Sequence, residues 1–301
     1  MELDIRNKAY IRHSDIIGLN FIKSPGRYVY RKYHKQGLRS QIMEVLDPDD
    51  VQKQTKGELN SGILYFPWAK PLKILRIFRS TFDSLDHTLD EIKRLKIVET
   101  YLPPDAYAKS HEFIVEYIRN SHHDVILCGL QDYVEGEPLN PWEITGKQHV
   151  ANLLIGMRSK NNKALFPDTR RLVKKIQKKA DYFIQCVKKM ILESKYVPDF
   201  AGMENLILTP TGNIKLVDIN NISKVSFDDS IPLDDKGYPV SDKSIEAIAM
   251  LERKLLDRPL DKTEAIYRIF LDPERMKRVK RLEEAFHLSV KSTGHYPKQF
   301  S

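Results

Sequence analysis

The sequence predicts an α+β chain of two lobes, a mainly β first part carrying one major helix and a mainly helical second part. Three observations carry that prediction. Up to about residue 134 the apolar residues mostly recur every second position, with one helix-period stretch among them. After Gly136 and Pro138 the period changes to that of helices. Among those helices, NLILTPTGNIKLVD returns to two short apolar runs around a Pro-Thr-Gly-Asn turn, the pattern of a β-hairpin.

From Arg27 to about Phe78 the chain reads as sheet. GRYVYRKYHK alternates aromatic and basic residues, SGILYFPW is a short apolar run, and KILRIFR alternates again. Ser84 can cap a helix over about 84–101, with Leu85, Leu89, Ile92, Leu95 and Val98 at helical spacing, and Pro103-Pro104 ends it. Two more strands follow, HEFIVEYI at 111–118 and DVILCGLQDYV at 124–134. The lobes divide as residues 1–132 and 133–301, the latter holding the loop 197–205 and the hairpin 206–218.

Residues 168–195 carry the strongest helical signal. Asp168 or Thr169 can cap the helix, and Leu172, Ile176, Ala180, Phe183, Ile184, Val187 and Ile191 form one stripe between lysines, leaving a basic face for solvent. Further helices are expected at roughly 242–256, 262–270 and 273–292.

Composition narrows the function classes. The 301 residues are 41% hydrophobic and 30% charged, enough apolar material for one large core or two lobes, which argues against a disordered chain. No run approaches the roughly 18–20 apolar residues of a membrane span. The opening MELDIRNKAYIRHSD places charges where a signal peptide needs an apolar segment. A soluble, cytoplasmic protein without a membrane partner is therefore expected. The two cysteines, Cys128 and Cys186, lie far apart in apolar stretches and read as buried free thiols. His122-His123-Asp124 reads as a polar turn. The formal charge of +8 is spread along the chain. It allows a nucleic-acid partner through the basic helices 168–195 and 273–292 without favouring one.

The order of sheet, helix, more sheet, hinge, long helix, polar loop and hairpin resembles that of the protein-kinase-like superfamily, which includes protein kinases and the aminoglycoside and choline phosphotransferases. The segment carrying the resemblance is YVPDFAGMENLILTPTGNIKLVDINN, residues 196–221. In that superfamily a loop after a long helix supplies an Asp that orients the acceptor hydroxyl and an Asn that binds metal, and a later strand end supplies a metal-binding Asp. The resemblance assigns these roles to Asp199, Asn205 and Asp218. Magnesium bridging nucleotide phosphates takes oxygen ligands, which one carboxylate and one amide can offer beside waters. Asn205 and Asp218 lie 13 residues apart, the separation found in many members.

Three departures accompany the match. Val197-Pro198 stand before Asp199 in place of His-Arg or His-Gly, Asp199 precedes Asn205 by six positions where five is usual, and DINN replaces Asp-Phe-Gly. Gly202 is expected to absorb the extra residue through an unusual backbone angle.

By the same resemblance KILRIFR is the strand that offers a cation to the nucleotide phosphates. Arg76 falls at the lysine position, with Lys73 as the alternative on the opposite strand face and Ile74 on the adenine side. Glu91, or else Glu99, would pair with that cation. Backbone groups of Asp132, Tyr133 and Val134 would meet the adenine. Gly57 and Gly62 are candidates for a glycine-rich lid. The implied function is phosphoryl transfer from ATP with Mg2+ to a hydroxyl of a small molecule or protein. The alternatives are a pseudokinase that binds or scaffolds, and a basic nucleic-acid-binding protein.

Overall fold

The computed structural model describes residues 4–34, 37, 39–82, 84–119, 122–160 and 169–292. It has a mixed α+β architecture, as the sequence predicts. The chain packs as two units, Met1–Ile92 with Lys109–Tyr133, and Lys93–Ala108 with Val134–Ser301. Residues 93–108, grouped by sequence with the first lobe, thus belong to the second unit.

The elements of the first unit, in chain order, are α1 (His13–Ile17), β1 (Val29–Lys32), β2 (Ser40–Leu46), α2 (Pro48–Lys56), β3 (Glu58–Asn60), β4 (Ile63–Tyr65), β5 (Lys73–Phe78) and most of α3 (Leu85–Leu95), whose last three residues fall in the second unit. The helix α4 (Ile97–Tyr101) follows before the chain returns as β6 (Ser110–Arg119) and β7 (His122–Asp132). The single helix expected over 84–101 is thus two, parted at Lys96. Five strands form an antiparallel sheet in the order β1-β2-β5-β7-β6.

The alternation that predicted these strands also sets their faces. Leu75 and Ile77 of β5 join Met43, Val45, Ile126, Cys128 and Tyr117 in one core, which the N-terminal residues Ile5, Ile11, Ile16 and Leu19 cover. Fully burying one such aliphatic side chain is worth about 1.5–3 kcal/mol, so this cover is a substantial part of the unit. Residues 5–46 therefore contribute both a lid for one sheet face and two of its strands.

The stretch 27–78, expected to be mostly sheet, also contains the helix α2. Asp47 caps this helix by accepting the Asp49 N–H at 2.8 Å, Pro48 occupies its first turn, and Gly57 ends it at φ 81°. Gly62 serves the turn of the β3–β4 hairpin, also at φ 81°. Helix stop and hairpin turn account for the two glycines that suggested a lid. His122-His123-Asp124 is likewise no turn: the three residues begin β7, with His123 Nδ1 2.6 Å from Glu116 Oε1 across the strand pair. Their pairing with β6 supplies the backbone partners that a turn would lack.

The second unit adds β8 (Glu137–Pro138), α5 (Lys147–Lys160), α6 (Thr169–Ser194), β9 (Tyr196–Pro198), β10 (Leu206–Leu208), β11 (Ile214–Leu216), β12 (Ile222–Lys224), α7 (Val240–Leu255), α8 (Ala265–Phe270) and α9 (Pro273–Ser292). Asp168, a proposed cap of α6, lies outside the described residues. All seven stripe residues of α6 are buried. Its basic face has one exception to solvation. Lys188 is buried between Glu252 at 2.7 Å and Glu264 at 2.8 Å, because an ammonium removed from water needs such partners. Of the two thiols, Cys128 is buried and pushed up to about 12 by desolvation, whereas Cys186 is only half-buried. No helix among the described residues is long and apolar enough to cross a membrane.

Candidate functional site

The site forms where α6 ends and the chain turns through two small sheets. Lys195 leaves the helix at φ 60°, and its carbonyl accepts the Val225 N–H at 2.8 Å. β9 then pairs antiparallel with β12, Pro198 opposite Ile222. This ladder continues one step further, the Asp199 N–H donating to the Asn221 carbonyl at 2.9 Å. β10 and β11 form the predicted hairpin, with Leu206 opposite Leu216 and β8 as a third strand.

The register of that hairpin explains why a 13-residue separation matters. The Val217 N–H donates to the Asn205 carbonyl at 2.8 Å, so Asn205 stands opposite Val217 at the open end of the hairpin and Asp218 is the next residue out. Asn205 Nδ2 donates to the Asp199 carbonyl at 2.8 Å. Its Oδ1 has no hydrogen bond among the described residues. Asp199, Asn205 and Asp218, three residues singled out by sequence, are thus brought to one place.

The extra residue between Asp199 and Asn205 is absorbed differently from the expectation. The left-handed angle falls on Glu204, at φ 64°, and not on Gly202. Gly202 is required for closeness instead: a Cβ there would stand 2.2 Å from Asn205 Nδ2. The absent side chain lets the loop close tightly over the amide.

Asp199 is held from three directions. Its Oδ1 accepts the N–H groups of Ala201 and Gly202, both at 2.9 Å, and its Oδ2 accepts Asn221 Nδ2 at 3.1 Å. Burial of the carboxyl, followed by the charge of Asp218, pushes Asp199 up to about 6, against the lowering effect of those three donors. The loop is anchored beneath by Phe200, fully buried, whose ring meets Phe183 edge-on at 5.8 Å and whose N–H donates to Ser244 Oγ at 3.1 Å.

Close by, the Tyr238 hydroxyl donates to Glu283 Oε1 at 2.9 Å. Burial first, then Glu283, and in smaller part Asp199, keep this phenol protonated far above its usual range. The buried Lys243 ammonium is shared by Glu246 at 2.7 Å and Glu283 at 3.1 Å and lies 5.2 Å from the centre of the Trp142 ring.

The other sequence candidates lie elsewhere in their units. Lys73 forms an ion pair with Asp132. Arg76 is buried, and its Nε donates to Gln131 Oε1 at 3.0 Å. Lys73 shares a strand face with Leu75 and Ile77, while Ile74 and Arg76 share the other. Glu91 is half-buried on α3. Asp132 ends β7, where its N–H donates to the Lys109 carbonyl at 2.8 Å, Tyr133 closes the first unit and Val134 opens the second.

Sequence reasoning missed Asn221 and Ser244 as positioning groups. The signal for Asn221 was present: two adjacent amide residues flanked by Ile219 and Ile222 need partners when buried. For Ser244 there was none, since one serine in a helix gives no hint that a loop 44 residues earlier will use it.

The donor set suits magnesium better than a transition metal. Among the described residues no group of three or more His, Cys, Asp and Glu side chains could hold a metal by itself. One carboxylate and one amide oxygen match an ion that completes its shell with phosphate oxygens and water. Compared with known protein families and with curated proteins, the chain matches none.

Proposed function

We propose that the protein is a kinase-like phosphotransferase, using ATP and Mg2+ and acting on a hydroxyl of a small molecule or protein. The observation that carries this reading is that Asn205 and Asp218 leave the same open end of one hairpin on its two strands, with the Asn205 amide bonded to the Asp199 carbonyl and the Asp218 charge acting on the Asp199 carboxyl. Asn205 Oδ1 and the Asp218 carboxylate would hold the metal, which neutralises phosphate charge when bound. Asp199 would orient the acceptor hydroxyl. A carboxyl pushed up to about 6 is closer to neutral pH than an ordinary aspartate and better suited to receive a proton. The resemblance assigns the phosphate-contacting cation to Arg76, with Lys73 as the alternative; in the first unit Arg76 is bonded to Gln131 and Lys73 to Asp132.

One observation favours a second reading, a nucleotide-binding scaffold that transfers nothing: both Asp199 oxygens are engaged within the loop. ATP turnover dependent on Asp218 would exclude it.

Thermal unfolding with and without Mg-ATP tests the nucleotide site. At a hundredfold excess over Kd the midpoint should rise by about 4–8 °C, and Asp218→Ala should abolish the rise. No shift in the unsubstituted protein would refute the proposal.

A further inference from the structure

A concave site lies in the first unit, lined by none of the candidate residues of the proposed nucleotide site. A hollow of about 320 Å³ is bounded by residues 10–13, by β1, by Leu46 at the end of β2 and by α2. Its floor is apolar, formed by Ile11, Val29, Leu46 and Val51. Its volume is at the lower end of the range for small-molecule sites.

The rim is cationic. Arg12 and Lys32 both line the hollow, and among the described residues neither side chain has a carboxylate within ion-pair distance. Both are gathered instead by the exposed Tyr10 ring, the Lys32 ammonium 4.7 Å and the Arg12 guanidinium 5.7 Å from its centre. A ring face holds cations in place without cancelling their charge, so it leaves them able to bind an anion. Asp15 accepts the Arg12 backbone N–H at 2.7 Å, pairs with Lys8 at 2.8 Å and also feels the Arg12 charge. No acidic residue lines the hollow.

The walls are built in advance. His13 Nδ1 accepts the Tyr30 N–H at 3.1 Å, which leaves Nε2 as the position for the ring proton and so a further donor. Arg31, the third cation of the lining, is committed to structure. It pairs with Glu44, donates to Gln54 Oε1 at 3.1 Å and to the Ala69 carbonyl at 2.9 Å, and lies 3.9 Å from the centre of the Trp68 ring. Those bonds tie α2 to the sheet and fix the width of the hollow.

We propose that this hollow binds a small phosphate monoester, the phosphate held by Arg12 and Lys32 and an apolar body of about the size of a phenyl ring resting on Ile11, Val29, Leu46 and Val51. The site is independent of the proposed nucleotide site, which lies wholly in other residues.

Isothermal titration with phenyl phosphate, inorganic phosphate and phenol tests this. Phenyl phosphate should bind at least about tenfold more tightly than either fragment, since charge and apolar burial each contribute. The double variant Arg12→Glu/Lys32→Glu, at one exposed and one half-buried position, should weaken it by more than about tenfold, and Asp218→Ala should leave it unchanged. Val51→Trp, which fills the floor, should remove the advantage over inorganic phosphate. An unchanged thermal midpoint in each variant shows that the fold is kept. Absence of phenyl phosphate binding, or binding that survives reversal of both charges, would overturn the proposal. So would equal binding of phenyl and inorganic phosphate.

Discussion

Two apolar hairpins in this chain began with similar local signals and ended in opposite environments. β3–β4, from ELNSGILY, turns through Ser61 and Gly62 at φ 50° and 81°, the two left-handed residues of a tight hairpin turn. β10–β11, from LILTPTGNIKL, turns through Thr209–Asn213 with Gly212 at φ 80°. Yet Leu59, Ile63 and Leu64 are 72%, 63% and 53% exposed, while Leu206, Leu208 and Leu216 are 1%, 0% and 0% exposed. The second hairpin gains a third strand in β8 and lies against α6, whereas the first forms a two-stranded sheet by itself. Turn chemistry makes a hairpin; only neighbours make it a core.

That contrast can be broken most forcefully on the buried side. Leu208→Ala removes a side chain with no exposed surface, and urea unfolding should show a loss of about 2–5 kcal/mol. A loss below about 1 kcal/mol would mean that the hairpin is not packed as described.

The loop that leads into the buried hairpin carries a pH dependence. Folding raises Asp199 from 3.8 to about 6, so the group favours the folded state below its unfolded pKa, and that contribution is lost as the pH rises through 6. Between about pH 4 and pH 7 the protein should lose on the order of 2 kcal/mol relative to Asp199→Asn, which does not titrate. Urea midpoints for both proteins across that range would show it. Parallel curves would contradict the perturbed carboxyl.

The smallest effect belongs to the exposed hairpin. Leu64→Ala should change unfolding stability by no more than about 0.5 kcal/mol, because little surface is withdrawn from water there. A loss comparable to that of Leu208→Ala would show that the hairpin is covered in solution.

The site was partly legible in the sequence. Asn205 and Asp218 could be placed at the same end of the hairpin because register is local: two short apolar runs and a turn decide which residues stand opposite, here Asn205 and Val217. The manner in which the loop absorbs its extra residue could not be read. Gly202 invites an argument from backbone angle, but its role is the approach of the Asn205 amide, a distance set only when the loop closes. Asn221 and Ser244 reach the loop from 22 and 44 residues along the chain, a spacing no local pattern encodes.

The sequence by itself determined the α+β class, the seven-residue stripe of α6, the alternation of β5 and the hairpin that has Asn205 and Asp218 at its open end. Period, caps and turn residues act within a few positions of themselves. Tertiary structure alone decided that residues 5–19 cover a sheet face, that Lys188 is buried between two glutamates, and that one apolar hairpin stays in water while the other joins the core. Burial depends on surfaces contributed by distant parts of the chain, and a side chain's chemistry states only that it can be buried, not what will arrive to cover it.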